Sequence, residues 1–352
     1  MIKAYRLNQL PIMDDGQEFL LSNFWKAWIA ALASLTYSYY ISKTIKPGMM
    51  RLISFLPIIA LFTLLPLTLF PSPHLCGITA FFLTWLANFK LLLFAFDTGP
   101  LSSSSPLSLI QYIAQASLPI KVRHSQDNTI MGSSSSVNYA LKFLLLVLLL
   151  RIYQYRPHLH PQLLLVINCA HLYLTGEILL ALFAAPARAL LKIDIEPQFN
   201  EPYLATSLQD FWGRRWNLMV TSILRPSVYE PVRLVLGAPC AVVATFLVSG
   251  LMHELIYYYL TRVRPTWEVS WFFVLHGLCT AVEIVVKRSE LGEKWRVNRV
   301  VSGVLSIGFV MGTSFWLFFP QIVSNEVDLR VIQEHGIAFQ FVKEHVLRYL
   351  RE

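Results

Sequence analysis

The sequence predicts an all-α, polytopic membrane protein with about eight transmembrane helices, and three observations carry that prediction. Of its 352 residues, 55% belong to the apolar set and only 14% are charged, whereas soluble domains carry about 25% charged residues. The mean hydropathy is +0.52. The apolar residues fall in runs of about 20, the length that crosses the hydrocarbon core of a bilayer. So few charges cannot coat the core of a water-soluble protein of this size, which excludes the soluble, disordered and fibrous classes together. Residues 1–352 read as one integral membrane domain.

The first 23 residues hold Asp14, Asp15 and Glu18 and show no signal-peptide pattern. The first span, over 24–42, is therefore expected to act as an uncleaved signal anchor. Further spans are expected over 52–70, 75–96, 139–156, 162–184, 239–260, 267–286 and 300–323. The stretch 107–118 is short and reads as a re-entrant or interfacial helix, while 162–191 is long enough to tilt or break. Ser102–Ser105 and Ser133–Ser136 flank a polar loop and read as linkers. The largest polar insert, about 188–238, is dense in Pro, Trp, Arg and acidic residues, more than a connector requires. The segment 324–352 mixes charges with Val331, Ile332, Phe339, Phe341, Val342, Val346 and Leu350, the pattern of an amphipathic surface helix.

The net charge is +8, with a pI near 9.3. The basic residues sit in short loops between apolar runs, so orientation in the bilayer and anionic headgroups or ligands account for the excess, and no nucleic-acid partner is expected. With eight spans, 16 Lys and Arg fall on one side and 10 on the other; the positive-inside rule then places the 188–238 insert on the cytosolic face. Cys76, Cys169, Cys240 and Cys279 lie in or beside apolar runs without CxxC or zinc spacing and read as packing residues.

Ionisable residues within spans are costly and mark candidate functional groups. Here they include Lys90, His171, Glu177, His253, Glu254, His276 and Glu283. Ser249, His253 and Tyr257 recur at i, i+4 and i+8 and share one helix face: a hydroxyl, an imidazole and a phenol that could hold a proton acceptor in place, or a packing seam of small residues around Ser249 and Gly250. Glu254 lies about 100° away and is expected to bond another helix. Asn168, His171 and Thr175 form a second polar face, and His276 and Glu283 stand two turns apart. In the insert, Ser207 is a candidate N-cap with Asp210 at N3. The helix that follows would carry Phe211, Trp212 and Trp216 beside Arg214 and Arg215, which suits either a headgroup anchor or a site for a phosphate-bearing ligand with a membrane-embedded tail.

No histidine has an aspartate five residues later, and HxxxH boxes, a P-loop, a GxSxG elbow and a DHHC cluster are missing; no metal site is expected. A proton-coupled transporter, with His171, Glu177, His253 and Glu283 as relay groups, is the rival class. It predicts two related halves with paired broken helices, which the sequence does not display.

At Asp210–Asn217 (DFWGRRWN) and Ser249–Glu254 (SGLMHE), the chain resembles the membrane-bound O-acyltransferase superfamily and, within it, the plant wax synthases, which are long-chain-alcohol O-fatty-acyltransferases. The resemblance extends over nearly the whole chain, through Trp85–Ala95 (WLANFKLLLFA), Pro197–Asn217, Thr261–Glu268 (TRVRPTWE) and Phe273–Val285 (FVLHGLCTAVEIV). It implies helices curved around a membrane-embedded reaction chamber in the endoplasmic reticulum. It also implies acyl transfer from fatty acyl-CoA, a co-substrate, to a long-chain fatty alcohol, with no further cofactor. Sterol and diacylglycerol acyltransferases share the motifs and supply alternative acceptors. The family's histidine maps onto His253 and its asparagine onto Asn217. On this reading His253 takes the alcohol proton, the alcohol oxygen attacks the thioester without an acyl-enzyme, and Asn217 places the thioester or donates to the developing oxyanion. Trp212, Arg214, Arg215 and Trp216 are expected at the acyl-CoA mouth, the two arginines on its phosphates, with Ser249 and Tyr257 as the supporting polar face.

Overall fold

In the computed structural model, residues 15–102, 106–122, 136–191, 195–290 and 298–337 are described. Among them the backbone is helices and their connections, apart from an isolated bridge between Val122 and Ile195. The expectations for residues 1–14, for most of the two serine-rich breaks and for 338–352 lie outside the described residues.

Among the described residues, seven helices are long and apolar enough to cross a membrane: Met49–Leu69, Pro73–Ala95, Val137–His158, Pro161–Ala189, Leu218–Thr261, Glu268–Lys287 and Arg299–Phe318. They coincide with the second to eighth expected spans. The first, α1 (Asp15–Thr44), runs 30 residues, about 45 Å at 1.5 Å per residue. Lys26 and a Ser-, Thr- and Tyr-rich second half dilute its apolar character. Its Ala27, Ala31 and Leu35 are buried with Phe55, Ile58 and Phe62 of α2 (Met49–Leu64).

The third helix, α3 (Pro73–Ala95), is the most enclosed of the seven. Its middle, Ala80–Ala87, widens into π-helical turns, a distortion that frequently accompanies functional sites. The expected short helix is α4 (Leu109–Ser117), opened by a complete Ser108–Gln111 capping box. It is built into the bundle: Tyr112 and Ala116 join the α1–α2 core, and buried Lys90 of α3 donates to the Gln115 and Leu118 carbonyls at 2.6 and 2.7 Å. That bond satisfies the orphan C-terminal carbonyls of α4 and explains one intramembrane cation. α5 (Ser136–Ile152) and α6 (Pro161–Leu191) pack together, joined by a buried Lys142–Glu177 pair at 2.5 Å. α6 is a single helix, neither broken nor split.

The 188–238 insert is less loop-like than its composition suggests. A short turn, α7 (Leu208–Asp210), continues as a π turn over Phe211–Arg215. Trp216 is extended, and α8 (Leu218–Leu224) begins immediately after Asn217. A further π turn over Arg225–Tyr229 leads into α9 (Glu230–Thr261). Met219 and Ile223 of α8 are buried against Leu86 and Leu93 of α3, so the last third of the insert belongs to the helical bundle. The expected start of the sixth span near 239 survives as a break: Gly237 has φ 83° and ψ 171°, which a side chain rarely tolerates, and Pro239 restarts the helix.

α10 (Glu268–Lys287) crosses α9 closely, because a Cβ at Gly250 would lie 3.1 Å from the Ser270 Cα and one at Gly277 would lie 2.8 Å from the Phe246 Cβ. α11 (Arg299–Thr313) widens into a π turn over Ser314–Phe318 and is followed by α12 (Pro320–Ser324). A last helix, α13, is described over 327–337. The expected surface helix is, over these residues, docked on the protein. Arg330 donates to the Pro71 and Leu260 carbonyls at 2.8 Å. Asp328 pairs with Arg156 at 3.0 Å, and Val327 is buried.

Candidate active site

His253 stands near the middle of the second half of α9. Its Nδ1 lies 2.7 Å from the Ser249 carbonyl oxygen. A carbonyl only accepts, so Nδ1 carries the proton and Nε2 presents its lone pair. Among the described residues, Nε2 has no hydrogen-bond partner. Three rings from three other elements surround the imidazole. Phe273 of α10 stacks on it at 4.2 Å and 29°, Trp85 of the α3 π segment meets it edge-on at 5.0 Å, and Phe318 of the π turn after α11 lies 6.0 Å away. The result is an oriented imidazole in an apolar setting. The other two members of its helix stripe play different parts. Ser249 acts through its carbonyl, and the Tyr257 phenol donates to the Phe318 carbonyl at 2.7 Å. Tyr257 thus fastens the π turn that carries Phe318 and does not touch the imidazole. Glu254, on the adjoining face, accepts from the Ser270 amide at 3.2 Å and caps the first turn of α10, as expected of a group bonding another helix.

Asn217 is held at a junction. Its backbone is left-handed, φ 41° and ψ 67°, and it caps α8 by accepting the Val220 amide on Oδ1 at 3.3 Å. Asparagine is one of the few side chains that tolerates this conformation and also caps well. The neighbouring backbone is pinned from both sides: Leu218 N–H donates to the Gln198 carbonyl at 2.8 Å, and Asn200 N–H to the Arg215 carbonyl at 2.9 Å. With Oδ1 committed, the Nδ2 hydrogens make no hydrogen bond among the described residues. Trp216 just before it stacks on Phe211 at 5.4 Å and meets Phe199 at 5.1 Å, the core of an aromatic cluster rather than an open platform.

One stripe of α10 grips the 207–212 segment. Glu283 Oε2 accepts the Leu208 amide at 2.9 Å, and Lys287 Nζ donates to Ser207 Oγ at 3.0 Å. His276, fully buried, accepts the Trp212 indole N–H on Nδ1 at 3.0 Å and donates from Nε2 to Thr313 Oγ1 at 2.8 Å. The Trp212 ring lies 5.8 Å from Phe273, the ring stacked on His253. The loop and the His253 imidazole are therefore joined through one shared aromatic side chain.

Beside the segment is an open cavity of about 330 Å³ lined by Asp210, Arg214, Arg215, Lys287 and Arg299, with the polar groups of Thr206, Ser207 and Gln209. The two expected arginines differ there. Arg215 is spent on the fold, bonding Asp210 at 2.8 Å and the Asn200 and Glu201 carbonyls at 3.1 and 3.2 Å. Arg214 and Arg299 are exposed and, among the described residues, make no hydrogen bond or ion pair.

The second polar face lies elsewhere. Tyr153 donates to Asn168 at 2.6 Å and contacts His171 Nδ1 at 3.2 Å, with His335 of α13 packed 5.2 Å from the His171 ring. His171 Nε2 is also unpartnered, but it is sealed from accessible space. Of the expected residues, the structure gathers His253 and Trp212 about the shared ring of Phe273 and sets Asn217 at the cap of α8; the sequence did not point to Trp85, Phe318 or Arg299. Trp85 sat within the string WLANFKLLLFA, but nothing in its spacing linked it to a helix more than 160 residues later.

Residues 195–275, which contain Asn217, His253 and Phe273, match the family model described as the membrane bound O-acyl transferase family. The chain is similar to the long-chain-alcohol O-fatty-acyltransferase of Simmondsia chinensis, 47% identical over 94% of this chain and 98% of that one. It is also similar to the probable long-chain-alcohol O-fatty-acyltransferase 3 of Arabidopsis thaliana, 48% identical over 94% and 98%. A third relative, acyl-CoA–sterol O-acyltransferase 1 of Arabidopsis thaliana, is 44% identical over 92% and 97%.

Proposed function

The chain belongs to the membrane bound O-acyl transferase family, and we propose that it is a wax synthase, transferring a fatty acyl group from acyl-CoA to the hydroxyl of a long-chain fatty alcohol at the endoplasmic reticulum membrane. The observation that carries this reading is the state of His253: Nδ1–H is tied to the Ser249 carbonyl, Nε2 is free, and the ring sits in an apolar cage within the matched region. Both similar relatives named for long-chain alcohols favour that acceptor.

A thioester is already activated, so the reaction needs a base, an oxyanion donor and alignment of two amphiphiles. His253 Nε2 accepts the alcohol proton as the alcohol oxygen attacks the thioester carbonyl. The developing oxyanion accepts from Asn217 Nδ2. As the tetrahedral intermediate collapses, the C–S bond breaks, the ester is released, and the proton on Nε2 passes to the departing CoA thiolate, restoring the starting imidazole. CoA phosphates are held at the basic cavity, where Arg214 and Arg299 offer unspent guanidinium groups and Arg215 supports the wall.

The sterol-acyltransferase relative favours a second acceptor on the same mechanism. The deciding experiment uses microsomes of a host without neutral-lipid acyltransferases, given labelled acyl-CoA with a long-chain alcohol, a sterol or diacylglycerol. Wild-type membranes should make wax ester and His253→Ala membranes none at equal protein level. Steryl ester or triacylglycerol in place of wax ester would change the acceptor, and His253→Ala turnover equal to wild type would remove the base.

A further inference from the structure

His276 and Glu283 form an intramembrane polar pair that the proposed chemistry does not consume, and the structure shows what the pair holds. His276, Glu283 and Lys287 lie seven and eleven residues apart along α10, on one stripe, and each bonds the 207–212 segment. Two of the three contacts go to Leu208 and Ser207 at the cap of the turn. The third, from Trp212, is different in kind: it reaches the fully buried end of the stripe, and the Trp212 ring also neighbours Phe273, which stacks on His253.

The two histidines nearest the site are fixed in opposite tautomers. His253 carries its proton on Nδ1 and leaves Nε2 free. His276 accepts on Nδ1 from an indole that can only donate, so its proton is on Nε2 and goes to Thr313 Oγ1. The Thr313 hydroxyl in turn donates to the Phe309 carbonyl at 2.7 Å. One unbroken run of donors thus leads from the Trp212 indole through α10 to the backbone of α11, with every nitrogen of His276 spent. It has no capacity left to act as a base.

We propose that His276 is a positioning residue: by fixing the Trp212 indole it sets the place of Asn217, five residues on, and through the shared ring of Phe273 the place of His253. The Trp212 ring alone would leave that place loose. Its aromatic neighbours Phe246, Phe272 and Phe273 surround it at 5.6 to 6.2 Å, contacts that tolerate sliding and rotation, whereas a buried N–H bond to an anchored imidazole fixes one direction. The Trp212 carbonyl also accepts from Thr221 of α8 at 3.3 Å, so a shift of Trp212 is passed to the helix that Asn217 caps. Misplacing a reacting group by about 1 Å costs up to about a hundredfold in rate, enough for a single remote bond to matter.

This role rests on His253 and Asn217 doing the chemistry. The test uses the full chain in microsomes, with kcat and KM for acyl-CoA and alcohol normalised to inserted protein, for His276→Leu, His276→Gln, Trp212→Phe and the double variant His276→Leu/Trp212→Phe. Leucine removes both bonds, while glutamine can accept from the indole and donate to Thr313. His276→Leu should lose about tenfold or more in kcat with the alcohol KM nearly unchanged, His276→Gln should recover most of the loss, and the double variant should be no slower than the slower single variant. Wild-type kcat in His276→Leu, glutamine as slow as leucine, or losses that multiply would each overturn the role. Should His276→Leu not accumulate, Trp212→Phe reads the same bond, and a wild-type kcat there overturns it. Wild-type membranes without His253-dependent ester would overturn the function and this role together, whereas ester formation with an unaltered His276→Leu overturns this role alone.

Discussion

Asn217 combines two demands that a single substitution can separate. Its Oδ1 caps α8 and its Nδ2 is unengaged, so the amide is structural on one side and available on the other. Aspartate keeps the cap and tolerates the left-handed backbone but carries no donor. Asn217→Asp is therefore expected to fold with a melting temperature close to wild type while kcat falls by about 10²–10³-fold, the cost of removing one oxyanion donor. Asn217→Ala should show the same kinetic loss together with about 1 kcal/mol of lost stability from the missing cap. Thermal unfolding in detergent and turnover measured on the same preparations check both, and an active aspartate variant would rule out donation by the amide. Arg215 teaches the converse lesson. Its neighbour Arg214 has the same chemistry and the opposite status, and only the contacts to Asp210, Asn200 and Glu201 tell them apart.

Between elements, the geometry depends on where helices come close. Gly250 and Gly277 let α9 and α10 approach until backbone and Cβ atoms nearly touch, which is how helices without a hydrophobic driving force gain contact in lipid. Gly277→Val should force the Phe246 side of α9 away at a cost of about 1–3 kcal/mol, seen as a lower melting temperature, and should slow turnover because Phe273 and His253 sit on the displaced surfaces. A variant as stable as wild type would show that the two helices can part without strain. The helices themselves were readable from hydropathy, and the helical period put Ser249, His253 and Tyr257 on one face. That period gives a face but not a neighbour. It could not show that Tyr257 bonds Phe318, or that the proton of His253 goes to a backbone carbonyl. Nor do apolar residue types distinguish α from π turns, and the π segments over Ala80–Ala87, Phe211–Arg215 and Ser314–Phe318 are what carry Trp85, Trp212 and Phe318 to the site. The 188–238 insert misled for a related reason. Its polar composition belongs mainly to 196–217, while Leu218, Met219, Ile223 and Leu224 are ordinary core residues diluted by the average.

The whole molecule gathers its functional groups from distant parts of the chain. The basic cavity joins the 206–215 segment to Lys287 and Arg299, and the imidazole cage joins residues 85, 253, 273 and 318. Arg214→Ala and Arg299→Ala together are expected to raise the KM for acyl-CoA several-fold with little change in kcat, since a charge pair between exposed groups is worth up to about 1 kcal/mol. An acyl-CoA lacking the 3′-phosphate should be less sensitive to the double substitution, and an unaltered KM would remove these side chains from phosphate binding. Assembly on this scale also has an order in time. Glu334 bonds His74, Arg330 bonds the Pro71 carbonyl, and Asp328 pairs with Arg156, so a helix made after the spanning ones described holds groups made well before it. Until residue 334 has left the ribosome, the nascent bundle carries these earlier polar groups without their final partners. The contacts of α13 thus fall at the ends of the spanning helices rather than along their middles, so this helix closes one end of the bundle after its spans are made.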